Sequence, residues 1–270
     1  MSTVVITGEG ARGAYQAGVI QNLLLNGLEP DRYIGISSGA LNAMLFSQVD
    51  PRAVDDAISS IKDINSLFNF NYFSFFTAKG LYNSKPIRKT LDRLLKYHRL
   101  PAKDRRNGIV ADCNYKTGEI RYTNLITLPA SEIINRTLSA ISISGLIEPA
   151  IPGYIDGGAK EINPLQYTLN QEPDEDIHCI FGRPIKINEA PEPTGLFKFA
   201  KIAFRSLDIT MHDMSVDDLE RAERMKLRGE LSAKIHVYEP SEIYYNALDF
   251  GESKNGYQRG LSGFFEKKEI

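Results

Sequence analysis

Arg32-Tyr33-Ile34-Gly35-Ile36-Ser37-Ser38-Gly39-Ala40-Leu41 is the stretch on which the fold turns. Arg32–Ile36 is a short apolar run, and Ser38–Gln48 continues as an apolar helix, so a strand passes directly into a helix at Ser37. The same order occurs once upstream. Thr3–Thr7 reads as a buried β-branched strand, closed by Gly8-Glu9-Gly10-Ala11-Arg12-Gly13. Ala14, Ala17, Ile20 and Leu24 then recur at helical spacing up to Asn26, and Gly27 stands where a C-terminal cap belongs. Downstream, Asp50 and Pro51 supply an N-cap and a first helical residue for a third helix. Strand–helix–strand alternation predicts an α/β fold, a mainly parallel central sheet with helices on both faces.

The chain has 270 residues of average globular composition, enough for a single domain spanning 1–270. Formal net charge is −2, from 32 basic and 34 acidic side chains. That balance lacks the basic footprint of a nucleic-acid binder. Cys113 and Cys179 are too few for a disulfide framework or a four-ligand zinc site, and no His/Cys/Asp cluster stands at metal-ligand spacing. No apolar run approaches a membrane span, and Met1-Ser2-Thr3 leads straight into strand without a leader pattern. A cytoplasmic protein is expected; export without a cleaved signal fits the same reading.

Further along, Ile87, Leu91, Leu94 and Leu95 mark an amphipathic helix opened by Ser84 and Pro86. Ile109–Asp112 and Glu119–Thr123 flank Asn114–Gly118 as a hairpin. Ile177–Phe181 and Lys234–Glu239 read as strands, and Lys198–Arg228 as a helix. Arg183–Gly195, with Pro184, Pro191 and Pro193, reads as an exposed loop or hinge. Ile64–Tyr82 carries five Phe and admits two readings. Its rings fill the core, as apolar residues mostly do. Alternatively, with Lys79, Lys85, Arg88 and Lys89 alongside, it forms an apolar lip that docks on lipid.

Two glycine-rich turns hold the chemistry. Gly8–Gly13 fits a dinucleotide fingerprint, but that reading needs an acidic residue at the end of the second strand. Ser37 and Ser38 stand there instead, and Asp31 precedes the strand. Gly35-Ile36-Ser37-Ser38-Gly39 matches G-x-S-x-G, in which a sharp strand-to-helix turn exposes a nucleophilic serine; the bland reading is a helix-capping serine. Both turns would lie side by side at the carboxyl ends of neighbouring strands, with amides aimed at a developing oxyanion. Four histidines are available as base: His98 closes a helix, His178 and His236 lie inside strands, and His212 is in no glycine-rich setting. The better candidate is Asp156 in Tyr154-Ile155-Asp156-Gly157-Gly158, although Asp-Gly is also an ordinary turn.

Taken together, Gly8–Gly13, Gly35–Gly39 and Asp156-Gly157-Gly158 resemble the patatin-like phospholipases in order and spacing. So do Gly39-Ala40-Leu41-Asn42-Ala43, Gly80-Leu81-Tyr82 before Pro86-Ile87-Arg88, and Asn163-Pro164-Leu165. The likeness is strong over residues 3–170 and weak beyond. It implies a three-layer fold and a serine hydrolase that cleaves fatty acyl esters of phospholipid or lysophospholipid at a membrane surface, with no cofactor or metal. Ser37 would be the nucleophile, Asp156 the base, and the Gly8, Glu9, Gly10 and Ala11 amides the oxyanion hole, within a loop completed by Arg12 and Gly13. Arg12 would brace that loop or attract a phosphate. Activity is then expected to persist below pH 6, where an imidazole base would be protonated. One departure is Glu9, where many members carry glycine: its charge must point away from an oxyanion. The rival readings are a nucleotide-binding oxidoreductase and a non-catalytic lipid-binding protein of the same fold.

Overall fold

The computed structural model describes residues 1–71, 80–171, 176–186, 198–242 and 245–270, with backbone alone at 198–204 and 207. Its main sheet is built on β1 (Ser2–Ile6), flanked by β2 (Arg32–Ile36) and β8 (Asp176–Ile180), both parallel to it. On one side β5 (Asn107–Asn114) runs parallel to β2, and β6 (Ile120–Asn124) returns antiparallel. On the other, β9 (Lys234–Glu239) runs parallel to β8, and β10 (Glu266–Glu269) closes the edge antiparallel. The strand order is thus β10-β9-β8-β1-β2-β5-β6. A short β7 (Tyr154–Asp156) pairs antiparallel with β5, and β3 (Asn69–Phe70) with β4 (Tyr82–Asn83) in a separate ribbon.

β1 shows why three layers form. Val4 and Ile6 point into one core, with α1 (Gly13–Leu25), α2 (Ser38–Gln48), α3 (Pro51–Ser59), α4 (Lys85–Tyr97) and α5 (Ala130–Ala140). Val5 points to the opposite face, where Leu165 and Leu169 of α6 (Leu165–Gln171) meet Leu219 and Ala222 of α7 (Lys198–Leu227). Strands covered on both faces need an unbroken apolar run, which is how β1 reads. The last helix, α8 (Ser253–Leu261), lies against α1 in close backbone contact: a Cβ on Gly260 would meet the Tyr15 carbonyl at 2.3 Å.

The alternation read from sequence holds: β2, α2 and β9 occupy the expected residues, and Asp50 caps α3 by accepting from the Arg52 amide. β10, α8, α5 and α6 are among the elements not read from the sequence. β10 is Glu266-Lys267-Lys268-Glu269, exposed throughout, and charges of this kind blunt an edge strand. α8 contains two glycines, Gly260 required by its contact with α1 and Gly256 by the Tyr245 side chain, and α6 has only seven residues. One expectation is corrected: Arg183 is not in an exposed loop but buried, 4% exposed, because β8 delivers it beside the turn after β1. Pro191 and Pro193 lie outside the described residues, as do Tyr72, Phe73, Phe75, Phe76 and Lys79 of the aromatic stretch. Of the remainder, Phe68 is buried edge-to-face on Phe250, and Phe70 is 41% exposed.

Candidate active site

Ser37 follows the last residue of β2 and stands at the N-cap position of α2. Its φ of 53° and ψ of −125° make it the one non-glycine residue of positive φ among the described residues. Such backbone costs roughly 1–3 kcal/mol and persists only where its surroundings impose it. The surroundings are two glycines: a Cβ on Gly35 would meet the Gly39 carbonyl oxygen at 2.0 Å, and one on Gly39 the Ile6 carbonyl oxygen at 2.3 Å. The Ser37 side chain makes no capping hydrogen bond, so it is not an ordinary helix cap. Ser38 has a different task. Its Oγ accepts from the Glu9 amide at 2.9 Å and ties the two turns together.

Asp156 reaches Ser37 through strand register. β2 ends against β5 at the Ile36–Ala111 pair, and β7 takes up the next position with the Asp156–Asp112 pair. β6 already occupies the other edge of β5 at Asp112, so β7 must lie on the edge of β2, tip to tip with it. The carboxyl of Asp156 is therefore delivered to the serine at the end of β2. Its Oδ1 accepts from the Gly158 amide at 2.7 Å, while Oδ2 has no aligned partner. Burial pushes the carboxyl up to about 6, against the opposing pull of the Ser37 hydroxyl and the Gly158 amide. The contact with Ser37 is thus close but loosely aligned, as such contacts often are in a free enzyme. Neighbouring Asp112 spends its charge on Arg121, held through two bonds of 2.9 and 2.6 Å.

Most amides of the first turn are already engaged. Gly8 donates to Ile162 (3.0 Å), Glu9 to Ser38, Ala11 to the Ala247 carbonyl (2.8 Å), Arg12 to the Glu9 carbonyl (3.2 Å), and Gly13 to the carbonyls of Gly10 and Ala11. The Gly10 amide makes no hydrogen bond to a described residue, and neither does the Ser38 amide. Gly10, Ser37 and Ser38 all line a cavity of about 360 Å³. Its remaining wall is largely apolar, from Leu41, Leu45, Ile58, Leu91, Leu94 and Ile147 among others. A pyrophosphate cradle needs several free amides, which this turn does not offer.

Glu9, the departure in the glycine turn, points away from the cavity. Its Oε2 lies 2.8 Å from Arg183 Nε and 3.4 Å from Arg12, and the Thr7 hydroxyl donates to Oε1. Asp208 of α7 completes the cluster, 3.1 Å from both arginines. Burial alone would raise the Asp208 carboxyl, but Arg12 and Arg183 outweigh it and hold it below its usual range. Beneath the turn Glu9 and Asp208 thus meet Arg12 and Arg183, with Arg205 a third guanidinium 2.9 Å from Asp208, and Arg12 also donates to the Tyr245 carbonyl (3.0 Å). Arg12 therefore braces the loop. Sequence reasoning could not find Arg183 or Asp208, because their roles arise from contacts remote in the chain.

No histidine lines the cavity or shapes the environment of Asp156. His98 caps α4, and His212 is held by the Ile185 carbonyl at 3.0 Å. His178 and His236 are cross-strand neighbours on β8 and β9, next to Asp176, a grouping invisible as a sequence motif. Among the described residues, no helix is long and apolar enough to cross a membrane.

A family model described as patatin-like phospholipase matches residues 4–169, more than half of the chain. No curated protein matches it.

Proposed function

The chain belongs to the patatin-like phospholipase family, whose members act as lipid acyl hydrolases, and on that premise we propose a Ser37–Asp156 dyad that cleaves phospholipid or lysophospholipid esters. The observation that carries the reading is the strained Ser37 facing a buried carboxylate at the wall of an apolar cavity. Ser37 Oγ attacks the ester carbonyl carbon as its proton passes to the Asp156 carboxylate. The amides of Gly10 and Ser38 donate to the oxyanion, which narrows the oxyanion hole to one residue of the glycine turn and the residue after the nucleophile. Protonated Asp156 returns its proton to the departing alcohol, leaving the acyl group on Ser37. Water then attacks the acyl-enzyme, Asp156 takes its proton, and fatty acid is released as Ser37 is restored.

A carboxylate is a weak base in water, and burial strengthens this one by disfavouring its charge. The cavity lies at the small end of the 300–1,000 Å³ range of small-molecule sites, which suits one acyl chain. The substrate would be met by peripheral contact at a membrane surface. The test is to incubate the protein with a mixed lipid extract and identify products by mass spectrometry. Free fatty acid and the deacylated lipid are expected from the wild type and not from Ser37→Ala. Equal release by both would overturn the dyad, and no release by either would favour a lipid-binding protein of the same fold.

A further inference from the structure

We propose that Asp176, His178 and His236 form a binding site for a divalent, zinc-type metal ion on the β8–β9 face of the sheet. The site is remote from Ser37: Asp176 opens β8 at the amino end of the parallel strands, whereas Ser37 follows their carboxyl ends. The cross-strand His178–His236 pair stacks with ring centroids 4.9 Å apart, and Asp176, two residues before His178, shares their face. One ligand atom from each of the three residues lies within 4.8 Å of the others. His236 Nε2 is 2.8 Å and His178 Nε2 3.9 Å from the two Asp176 oxygens. Zinc bonds of about 2.0–2.2 Å bring such atoms to roughly 3.3 Å apart, so small rotations of the half-exposed Asp176 and of the two rings would close the set.

An outer contact orients the His178 ring for this use. His178 Nδ1 is 3.0 Å from the Tyr238 hydroxyl, and His236 Nδ1 is 3.6 Å from Glu269 Oε2. Both Nε2 atoms are turned toward Asp176; the far nitrogen of His178 is held by the Tyr238 hydroxyl, the arrangement that metal-ligating histidines show, whereas His236 Nδ1 only faces the Glu269 carboxylate without a hydrogen bond. His178 Nε2 has no hydrogen-bond partner although its side chain is only 8% exposed. An unsatisfied buried nitrogen is costly, and a cation would take up its lone pair. Asp176 and Glu269 together match a divalent charge, with Lys267, over the Tyr238 ring at 5.8 Å, as the opposing group. Two imidazoles and a carboxylate suit zinc, with water as the fourth ligand. Bound there, the ion would tie β8 to β9 and, through Glu269, to the edge strand β10.

The test uses the full chain after chelator treatment and dialysis, titrated with Zn²⁺ by calorimetry near neutral pH. Co²⁺ serves as a visible-absorption probe of tetrahedral geometry. One equivalent of Zn²⁺ should bind to the wild type, raise its Tm, and bind about 100-fold more weakly to Asp176→Asn and His236→Gln. Tyr238→Phe should weaken binding about 10-fold, as loss of such an outer contact does. Asp176 is half exposed, so its variant should fold, as checked by circular dichroism. No saturable binding to the wild type, or equal binding to the folded Asp176→Asn and His236→Gln variants, would overturn the proposal.

Discussion

Asp156→Asn should destroy activity and at the same time stabilise the protein. The Asp156 carboxyl rises from its ordinary 3.8 to about 6 because the folded chain buries it, so folding favours the protonated form. Its contribution to stability is therefore fully present below about pH 4 and is lost as pH rises through about 6. A rise of about 2 in pKa corresponds to roughly 3 kcal/mol by about pH 8. Asparagine keeps the shape, and its oxygen can still accept from the Gly158 amide, but it carries no charge to desolvate. Scanning calorimetry at about pH 8 should give a Tm roughly 6–12 °C above wild type, at 2–4 °C per kcal/mol, shrinking toward zero near pH 4. The same variant should lose about 100- to 10,000-fold in kcat, the usual worth of a general base. A variant that is destabilised at alkaline pH, or stabilised equally at every pH, would refute the argument. The same carboxyl alters the expected pH profile. Wild-type kcat/KM should fall as acid protonates Asp156 below about pH 6, at higher pH than the ordinary carboxylate range suggests. A histidine base would fail in much the same window. The variants, and not the pH profile, therefore separate dyad from triad.

An active-site fluorophosphonate should label Ser37 alone, and peptide mapping that finds label on Ser38 or Ser144 would contradict the assignment. His212→Gln should retain most wild-type activity in ester assays, since the His212 ring is committed to the Ile185 carbonyl. Arg183→Met leaves buried Glu9 short of a partner and should cost about 3–5 kcal/mol in urea unfolding. Ala57→Leu places bulk in the cavity wall and should depress hydrolysis of long-chain esters more than of short soluble ones, read as a ratio of kcat/KM values.

The elements with strong local signals were legible in the sequence. A β-branched run closed by glycine, a helical apolar period and an Asp-Pro cap each state their conformation within a few residues, so β1, α1, β2, α2 and α3 could be read directly. The elbow at Ser37 was legible for the same reason: its glycines are needed by backbone contacts made within that turn and with the adjoining strand β1. The charged edge strand β10 escaped because its place depends on pairing with β9 and not on its own pattern. Only the tertiary structure decided the chemistry that depends on register and burial. It brings Asp156 opposite Ser37 through β5, raises the carboxyl by desolvation, and leaves the Gly10 amide without a hydrogen bond among the described residues. It also turns Glu9 onto Arg183 and sets His178 beside His236. Charge interactions and hydrogen bonds act over a few ångströms of space whatever the distance along the chain, so no local pattern records them.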